Sequence, residues 1–126
     1  MPVFNVQGSK RVRRCFETTT LGSSMFPFGT EYVYVWELND GKFYVGWSEN
    51  LSRRIDEHLS GEGALWTKKY HPLSIIEILR GDKEIERQKT LEYMKIKGWD
   101  NVRGSHWCQV EYKTIPIEVG KFVNKT

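Results

Sequence analysis

The stretch that decides the fold is VYVWELNDGKFYVGWSENLSRRIDEH, residues 33–58. Two runs rich in β-branched and aromatic residues lie on either side of the tripeptide Asn-Asp-Gly at 39–41, and this pattern predicts a β-hairpin. A helix is predicted directly after the hairpin, from a cap at Ser48 or Asn50 to about Ser60. The hairpin and the helix together bring tyrosines close to an arginine and a histidine.

The length of the hairpin loop determines which tyrosines share a face of the sheet. A three-residue loop, a type I turn followed by Gly41 in the left-handed conformation, places Tyr34 opposite Gly46 and on the same face as Tyr44. A two-residue loop would shift the register by one residue and send the two tyrosines to opposite faces. We expect the three-residue loop, with Gly46 leaving open space beside Tyr34 where a substrate approaches the backbone.

Helix geometry sorts the polar residues that follow the hairpin. At about 100° per residue, the aliphatic residues of this helix form a stripe that faces the core. Arg54 and His58 then lie together at the edge of the stripe, whereas Arg53 points into solvent. Each such residue alone is more often a packing or surface residue. The convergence of Tyr34, Tyr44, Arg54 and His58 favours a functional site.

Two further elements complete the predicted domain. Residues 72–79 predict a third strand, and residues 83–97 predict a helix that ends at Gly98. The order strand, strand, helix, strand, helix predicts an α+β fold, in which helices flank a small, mainly antiparallel three-stranded sheet. The C-terminal residues 107–119 alternate weakly, which is compatible with one more strand. We divide the chain into a basic N-terminal arm (1–30), a central domain (31–106) and a C-terminal extension (107–126).

Composition limits the class of protein. A chain of 126 residues with 39% hydrophobic and 28% charged residues is long enough for one globular domain. No apolar run approaches the roughly 18 residues of a membrane-spanning helix. The two cysteines lack CxxC spacing, and the N-terminus carries no apolar signal segment. These features predict a protein without membrane contact in a reducing compartment, the cytoplasm or the nucleus.

Basic residues cluster beside aromatic residues, although the net charge is only +3. Lys and Arg neutralise backbone phosphates, and aromatic rings stack on exposed bases, so this mixture favours a nucleic-acid partner. We expect the segment WTKKY at 66–70 to be a loop that forms a phosphate-contacting rim. The candidate nucleic-acid-binding residues are Arg11, Arg13 and Arg14 in the arm and Lys68 and Lys69 in this segment.

Together these segments resemble the GIY-YIG nuclease superfamily. YVY at 32–34 stands for the first signature tripeptide, with a tyrosine in place of its glycine, and YVG at 44–46 stands for the second. NLSRRIDEH at 50–58 matches the helix that carries the arginine and the histidine. The likeness continues through WTKKYHPLSIIEI at 66–78 and ERQKTLEYMKIKGWDNVRGS at 86–105. The resemblance covers about three fifths of the chain. Short stand-alone members of the superfamily that are similar to this chain occur in phages and large DNA viruses.

The resemblance implies a divalent-metal-dependent endonuclease that hydrolyses phosphodiester bonds in DNA, with Mg²⁺ or Mn²⁺ as the cofactor. Residue by residue, it assigns catalytic positions to Tyr34, Tyr44, Arg54, His58, Glu86 and Asn101. Glu86 is also the implied metal ligand, with Glu84 and Glu92 as alternatives. Asn101 has a plain turn residue as its alternative interpretation.

Phosphodiester chemistry explains why these residue types belong together. A hard cation and a guanidinium stabilise charge on the phosphoryl and leaving oxygens. Mg²⁺ keeps several waters and is held by one carboxylate together with substrate phosphate, so Glu86 alone is enough. Arg54 would bind the phosphate through its fork of donors. Tyr44 is the candidate general base, with Tyr34 or His58 positioning it.

The partners and two alternatives follow from the same assignment. DNA is the expected partner, and cutting both strands with one site per chain requires a homodimer or two successive encounters. The first alternative is a catalytically inactive, nuclease-derived module that binds DNA or protein. The second is an unrelated small α+β interaction protein.

Overall fold

The computed structural model describes residues 26–124, so Arg11, Arg13 and Arg14 of the predicted arm lie outside the described residues. The strands are β1 (Tyr32–Leu38), β2 (Phe43–Ser48), β3 (Pro72–Arg80) and β4 (Val102–Gly104). The helices are α1 (Leu51–Leu59), α2 (Leu65–Lys69), α3 (Lys83–Lys97) and α4 (Ile117–Val123). Within residues 26–124, no helix has the length and apolar character needed to cross a membrane.

The strands form one four-stranded sheet with the order β3-β1-β2-β4. β1 is antiparallel to both of its neighbours, and β4 is parallel to β2. The α+β class is therefore confirmed, whereas the expected three-stranded antiparallel sheet is wrong. The added strand has only three residues, too few for a periodic pattern to appear in the sequence.

The hairpin has the register of a three-residue loop. Tyr34 lies opposite Gly46, so Tyr34 and Tyr44 share a face of the sheet as expected. The form of the turn differs from the expected type I geometry, because Asp40 (φ 63°) and Gly41 (φ 71°) are both left-handed. The register survives this difference, since it depends on the number of loop residues.

Strand alternation gives the sheet two different faces, which we call the α1 face and the α3 face. On the α1 face, the side chains of β1 and β2 pack against α1 and α2; its buried residues include Tyr34, Trp36, Leu51, Ile55 and Trp66. On the α3 face, they pack against α3 and α4; its buried residues include Val33, Val35, Val45, Leu91, Met94 and Val119. Helices therefore cover both faces of the sheet.

Two segments differ from the sequence-based expectations. The expected basic loop at 66–70 is mostly the short helix α2, because Trp66 is anchored in the α1-face core and donates to the Phe43 carbonyl at 2.9 Å. Residues 107–119 form no strand beyond a single bridge between Gly104 and Trp107. They lead instead into α4, whose Val119 is buried in the α3-face core.

Arg103 connects the C-terminal segment to the sheet through hydrogen bonds. The sequence around Arg103 did not predict this role. Its side chain is fully buried and donates to the carbonyls of Gln109 (2.6 Å) and Val110 (3.2 Å) and to the carboxylate of Asp100 (2.7 Å). The guanidinium also lies 4.3 Å from the ring centroid of Trp66. These contacts compensate the cost of burying a charge.

Candidate active site

Tyr34 lies at the centre of a polar cluster on the α1 face and is fully buried. Its hydroxyl oxygen is 3.0 Å from Nε2 of His58. Gly46 makes room for the ring, because a Cβ at position 46 would lie 2.4 Å from that oxygen. The open space expected beside Gly46 for a substrate is therefore wrong, since the Tyr34 ring itself fills it.

His58 is enclosed within this cluster. Three aromatic rings have centroids 5.7, 5.9 and 5.2 Å from its own, those of Tyr34, Trp36 and Tyr44. Its Nδ1 is 3.1 Å from the hydroxyl oxygen of Thr67. Burial and the nearby charge of Arg54 lower the pKa of His58 to about 3. The imidazole is therefore neutral at physiological pH. In this form one ring nitrogen donates a hydrogen bond and the other accepts one.

Thr67 and Gly63 are two residues of this site that the sequence reasoning missed. Thr67 is buried in α2 beneath His58. A Cβ at Gly63 would lie 2.3 Å from Nδ1 of His58, so the chain between α1 and α2 passes directly over the imidazole. No local pattern signals either contact, because both depend on how the two helices pack.

Arg54 contacts both phenols from α1. Its positive charge lowers the pKa of Tyr34 and of Tyr44, and its side chain forms a 2.8 Å ion pair with Glu57. The side chain is 29% exposed, against 69% for Arg53, in agreement with the predicted helix geometry. A guanidinium has five N–H donors, so these contacts leave capacity for an oxyanion at the exposed side.

The two tyrosines differ in access to solvent. Tyr34 is fully buried, whereas Tyr44 is partly exposed. Burial raises the pKa of both phenols above its ordinary value; the negative charge of Glu86 raises both further, and Arg54 opposes the rise. Both phenols are therefore protonated at neutral pH in the protein without metal or substrate. Tyr44, the more exposed of the two, is the one that can contact a substrate.

Glu86 approaches the cluster from α3, around the edge of the sheet. β4 ends at Gly104, and the next residue, Ser105, donates its backbone N–H to the Glu86 carboxylate. Burial raises the pKa of this half-buried carboxyl. Its charge acts on Tyr34 and Tyr44, so the carboxylate lies within electrostatic range of both hydroxyls.

The other two glutamates considered at this position have surface contacts. Glu84 is exposed and pairs with Arg87 at 2.8 Å. Glu92 is exposed and pairs with Lys89 at 3.2 Å. The charge of Glu86 therefore acts on the phenols, whereas Glu84 and Glu92 form ion pairs on the surface of α3.

Tight packing between α3 and β4 holds Glu86 in place. Thr90, one turn further along α3, is fully buried and donates its hydroxyl to the Glu86 carbonyl at 2.7 Å. A Cβ at Gly104 would lie 2.7 Å from that same hydroxyl oxygen. The absence of a side chain at Gly104 thus lets α3 approach the sheet closely enough for Glu86 to reach its edge.

Asn101 is not brought to the cluster. Its side chain accepts from Lys42 at 2.8 Å and donates to the Lys97 carbonyl at 2.9 Å. Lys97 is eleven residues along α3 from Glu86, which corresponds to about 16 Å of helix rise. These are the contacts of a turn residue that joins the end of α3 to the hairpin, the alternative left open by the sequence.

The predicted phosphate-contacting lysines lie beside the cluster. Lys68 and Lys69 are exposed on α2, next to Thr67 in the chain. Lys69 also lies 5.4 Å from the ring centroid of Tyr70. Their charges are therefore available to a polyanion that approaches the α1 side of the protein.

The oxygen atoms of the cluster fit a hard divalent cation. Within residues 26–124, no group of three or more His, Cys, Asp or Glu side chains could hold a metal ion. Mg²⁺ does not need such a group, because it retains waters and binds through one carboxylate and substrate phosphates. None of the salt bridges among the described residues involves Glu86, whose half-buried carboxylate lies within electrostatic range of both phenols. Glu86 is the residue that would hold the ion.

Comparison with known proteins identifies relatives of this arrangement. The family model of the GIY-YIG catalytic domain matches residues 30–103. A UPF0213 protein of Halalkalibacterium halodurans is 32% identical over 79 residues, which cover 53% of this chain and 84% of the relative. A UPF0213 protein of Staphylococcus aureus is 30% identical over 78 residues, which cover 52% of this chain and 95% of the relative. No solved structure was found to match the chain.

Proposed function

Because the chain belongs to the GIY-YIG family, we propose that it is a metal-dependent endonuclease that hydrolyses phosphodiester bonds in DNA. The observation that carries the proposal is the electrostatic contact of Tyr34, Tyr44, Arg54 and Glu86 around one side of the sheet. The four residues lie on β1, β2, α1 and α3, and the charges of Arg54 and Glu86 both act on the two phenols, which supports a shared site. A guanidinium, two phenols and a carboxylate supply what hydrolysis of a phosphodiester requires.

Arg54 binds the scissile phosphate in this proposal. Its contacts with Glu57 and the phenols hold the guanidinium in one orientation, so little side-chain freedom is lost when the phosphate binds. The donors that remain free would pair with the phosphoryl oxygens, where negative charge increases in the transition state. Loss of such a donor typically lowers the rate by about 10²-fold or more.

Tyr44 is the proposed general base, because its hydroxyl belongs to the more exposed phenol. In its phenolate form it would accept a proton from the attacking water. Arg54 favours that form by lowering the pKa of Tyr44 against the effect of burial. A divalent cation held by Glu86 would add positive charge beside the phenols and the phosphate, which stabilises both anions. Tyr34, held by His58, positions the Tyr44 ring and Arg54.

The wider assignments extend the same proposal. DNA would approach along Lys68 and Lys69, with Arg11, Arg13 and Arg14 of the arm adding contacts to the phosphate backbone. Residues 31–106 form the proposed catalytic domain, with residues 107–126 as its C-terminal extension. We place the enzyme in the cytoplasm or nucleus, as a homodimer where both strands are cut, and among the phage- and virus-type members of the family.

Cleavage of supercoiled plasmid tests the proposal. We expect nicking by the purified protein with Mg²⁺ or Mn²⁺ and none in excess chelator. Arg54→Ala should reduce the rate by about 10²-fold or more, whereas Arg53→Ala, the same change one residue away, should reduce it little. Glu86→Gln should abolish nicking, with Glu84→Gln as its matched control. All four variants are compared at equal folded concentration, measured by circular dichroism.

Three results would contradict the proposal. If DNA binds but no divalent metal supports cleavage, the inactive nuclease-derived module becomes the better reading. If the Arg53 and Arg54 variants lose activity equally, the guanidinium at Arg54 has no special role. Chelator-resistant nicking would point to a contaminating nuclease or to a different mechanism.

A further inference from the structure

We propose that Thr67 is a positioning residue that fixes the tautomer of His58, so that Nε2 of the imidazole accepts the hydroxyl proton of Tyr34. Three consecutive hydrogen bonds carry this inference. Tyr34 Oη lies 3.0 Å from His58 Nε2, His58 Nδ1 lies 3.1 Å from Thr67 Oγ1, and Thr67 Oγ1 lies 2.9 Å from the Ala64 carbonyl. The catalytic consequence of the inference rests on the proposed nuclease function, whereas the tautomer itself does not.

The direction of these hydrogen bonds follows from counting protons. A threonine hydroxyl has one proton, and a carbonyl oxygen only accepts, so Thr67 donates that proton to Ala64. The Thr67 oxygen must then accept from His58, which places the single imidazole proton on Nδ1. Nε2 is left with a lone pair directed at the Tyr34 hydroxyl.

The surroundings of Tyr34 lead independently to the same direction. The positive charge of Arg54 acts on the fully buried Tyr34 hydroxyl and favours the orientation in which the oxygen faces the guanidinium and the proton points away from it. The phenol therefore needs an acceptor for that proton. His58 Nε2 is at hydrogen-bond distance and has the lone pair to accept it. The opposite tautomer would make His58 the donor and turn the Tyr34 proton toward the positive charge of Arg54.

Water has little room to replace Thr67 in this chain. Thr67 and His58 are both buried, and the backbone at Gly63 passes so close that a Cβ there would lie 2.3 Å from Nδ1 and 3.0 Å from the Thr67 hydroxyl oxygen. The three residues come from α1, from α2 and from the turn between them. The packing of these elements therefore determines which nitrogen of His58 carries the proton. That nitrogen in turn determines whether the lone pairs or the proton of the Tyr34 hydroxyl face Arg54.

The functional consequence is an oriented phenol. With its proton on the His58 side, the Tyr34 oxygen presents lone pairs to Arg54, which holds the guanidinium between Tyr34 and Tyr44. With the tautomer reversed, the Tyr34 oxygen would accept from His58 and its proton would turn toward Arg54. The guanidinium would then lose one of the acceptors that orient it toward the phosphate.

Nitrogen NMR of the imidazole tests the inference directly. Protein labelled with ¹⁵N-histidine should show His58 with the proton on Nδ1 and an unprotonated Nε2. Thr67→Val keeps the shape of the side chain but removes the hydroxyl, so we expect the proton to move wholly or partly to Nε2. Thr67→Ser restores the hydroxyl and should restore the wild-type tautomer. A role in packing alone would not give this pattern.

Kinetics then connect the tautomer to the proposed activity. By analogy with the partners that fix the tautomer of metal-bound histidines, Thr67→Val should lower the plasmid-nicking rate by about 10- to 100-fold, and Thr67→Ser should recover most of it. Both variants must bind DNA as tightly as the wild type does, which separates positioning from a loss of substrate affinity.

The outcomes separate this inference from the nuclease proposal. An Nε2–H tautomer in the wild-type protein, or an unchanged Nδ1–H tautomer in a folded Thr67→Val variant, would overturn the inference even if the protein cleaves DNA. If Thr67→Val does not fold, the wild-type spectrum still decides the direction, and Thr67→Ser decides whether the hydroxyl suffices. If no metal supports cleavage while the spectra follow the expected pattern, the tautomer stands and the nuclease proposal fails.

Discussion

Gly46→Ala should damage both stability and activity, because the position has no space for even one added methyl group. The Cβ would lie 2.4 Å from the Tyr34 hydroxyl oxygen and from Cζ of the same ring. Ordinary contacts begin at 3.4 Å, so the ring or the strand must move by about 1 Å. Such a movement lengthens the 3.0 Å hydrogen bond between Tyr34 and His58 beyond its useful range.

The cost in the free energy of unfolding can be estimated from these two effects. Over-packing of a buried site typically costs about 1–3 kcal/mol. Loss of the hydrogen bond adds about 1 kcal/mol. We therefore expect Gly46→Ala to lower the free energy of unfolding by roughly 2–4 kcal/mol. The same change at Gly120 in α4 places its Cβ 3.6 Å from Ile115, an ordinary contact, so Gly120→Ala should be neutral or stabilising.

Urea denaturation of a double-mutant cycle measures the interaction itself. Tyr34→Leu removes the ring, and in that background Gly46→Ala should cost far less, with a coupling energy of roughly 2 kcal/mol. Equal urea slopes across the variants would show that the denatured state is unchanged. A Gly46→Ala protein as stable as the wild type, or a cost that persists without the Tyr34 ring, would refute the steric reasoning.

Three further predictions follow from the buried charged and titratable groups. Because burial raises the pKa of Glu86, its ionised form destabilises the native state above the ordinary carboxyl pKa. Glu86→Gln should therefore raise Tm at pH 7 in the presence of chelator. A lower Tm for this variant would contradict the expected cost of the buried charge. His58 has a pKa of about 3 in the native state against 6.5 ordinarily, so stability should fall as pH decreases from 6.5 toward 3. Acid titrations of wild type and His58→Gln should differ in that window, and identical curves would mean that His58 titrates normally. Arg103→Lys should cost roughly 2–4 kcal/mol in urea denaturation, since an ammonium cannot reproduce the fork of bonds to Gln109 and Asp100; a loss below 1 kcal/mol would contradict this role.

Glu86 lowers the stability of the metal-free chain and is also the residue proposed to hold the metal ion. The carboxylate is half-buried and burial raises its pKa, so its ionised form destabilises the metal-free chain. A bound cation would offset that cost. Divalent metal should therefore raise Tm in the wild type and leave Glu86→Gln unaffected, which gives a readout of binding that needs no DNA.

Part of the site was predictable from the sequence because it depends on local geometry. Period-two alternation and a three-residue loop place Tyr34 and Tyr44 on one face whichever turn type closes the loop. Helical periodicity likewise separates Arg54 from Arg53. Glu86 was implied by the family resemblance, with Glu84 and Glu92 left as alternatives, and in the structure the charge of Glu86 acts on both phenols.

Other features depended on contacts between segments that are far apart in the chain. β4 is held by its pairing with β2, some sixty residues earlier, and carries no periodic signal of its own. Asn101 was expected at the site, yet its bonds to Lys42 and Lys97 hold it at the far end of α3. The sequence placed Tyr34 opposite Gly46 and predicted open space there, but it could not show that packing on the α1 face turns the Tyr34 ring over Gly46 and fills that space.

The sequence by itself determined the α+β class, the hairpin register, and the set of side chains that point to the α1 face, because each follows from bond geometry within one or two adjacent elements. Only the tertiary structure decided that the Glu86 carboxylate bonds to the backbone at the end of β4, within electrostatic range of the two phenols, and that Thr67 lies within hydrogen-bond distance of His58. These contacts join α3 to β4 and α1 to α2. Their distances are set by how closely the elements pack, a quantity to which every buried residue contributes and which no local pattern encodes.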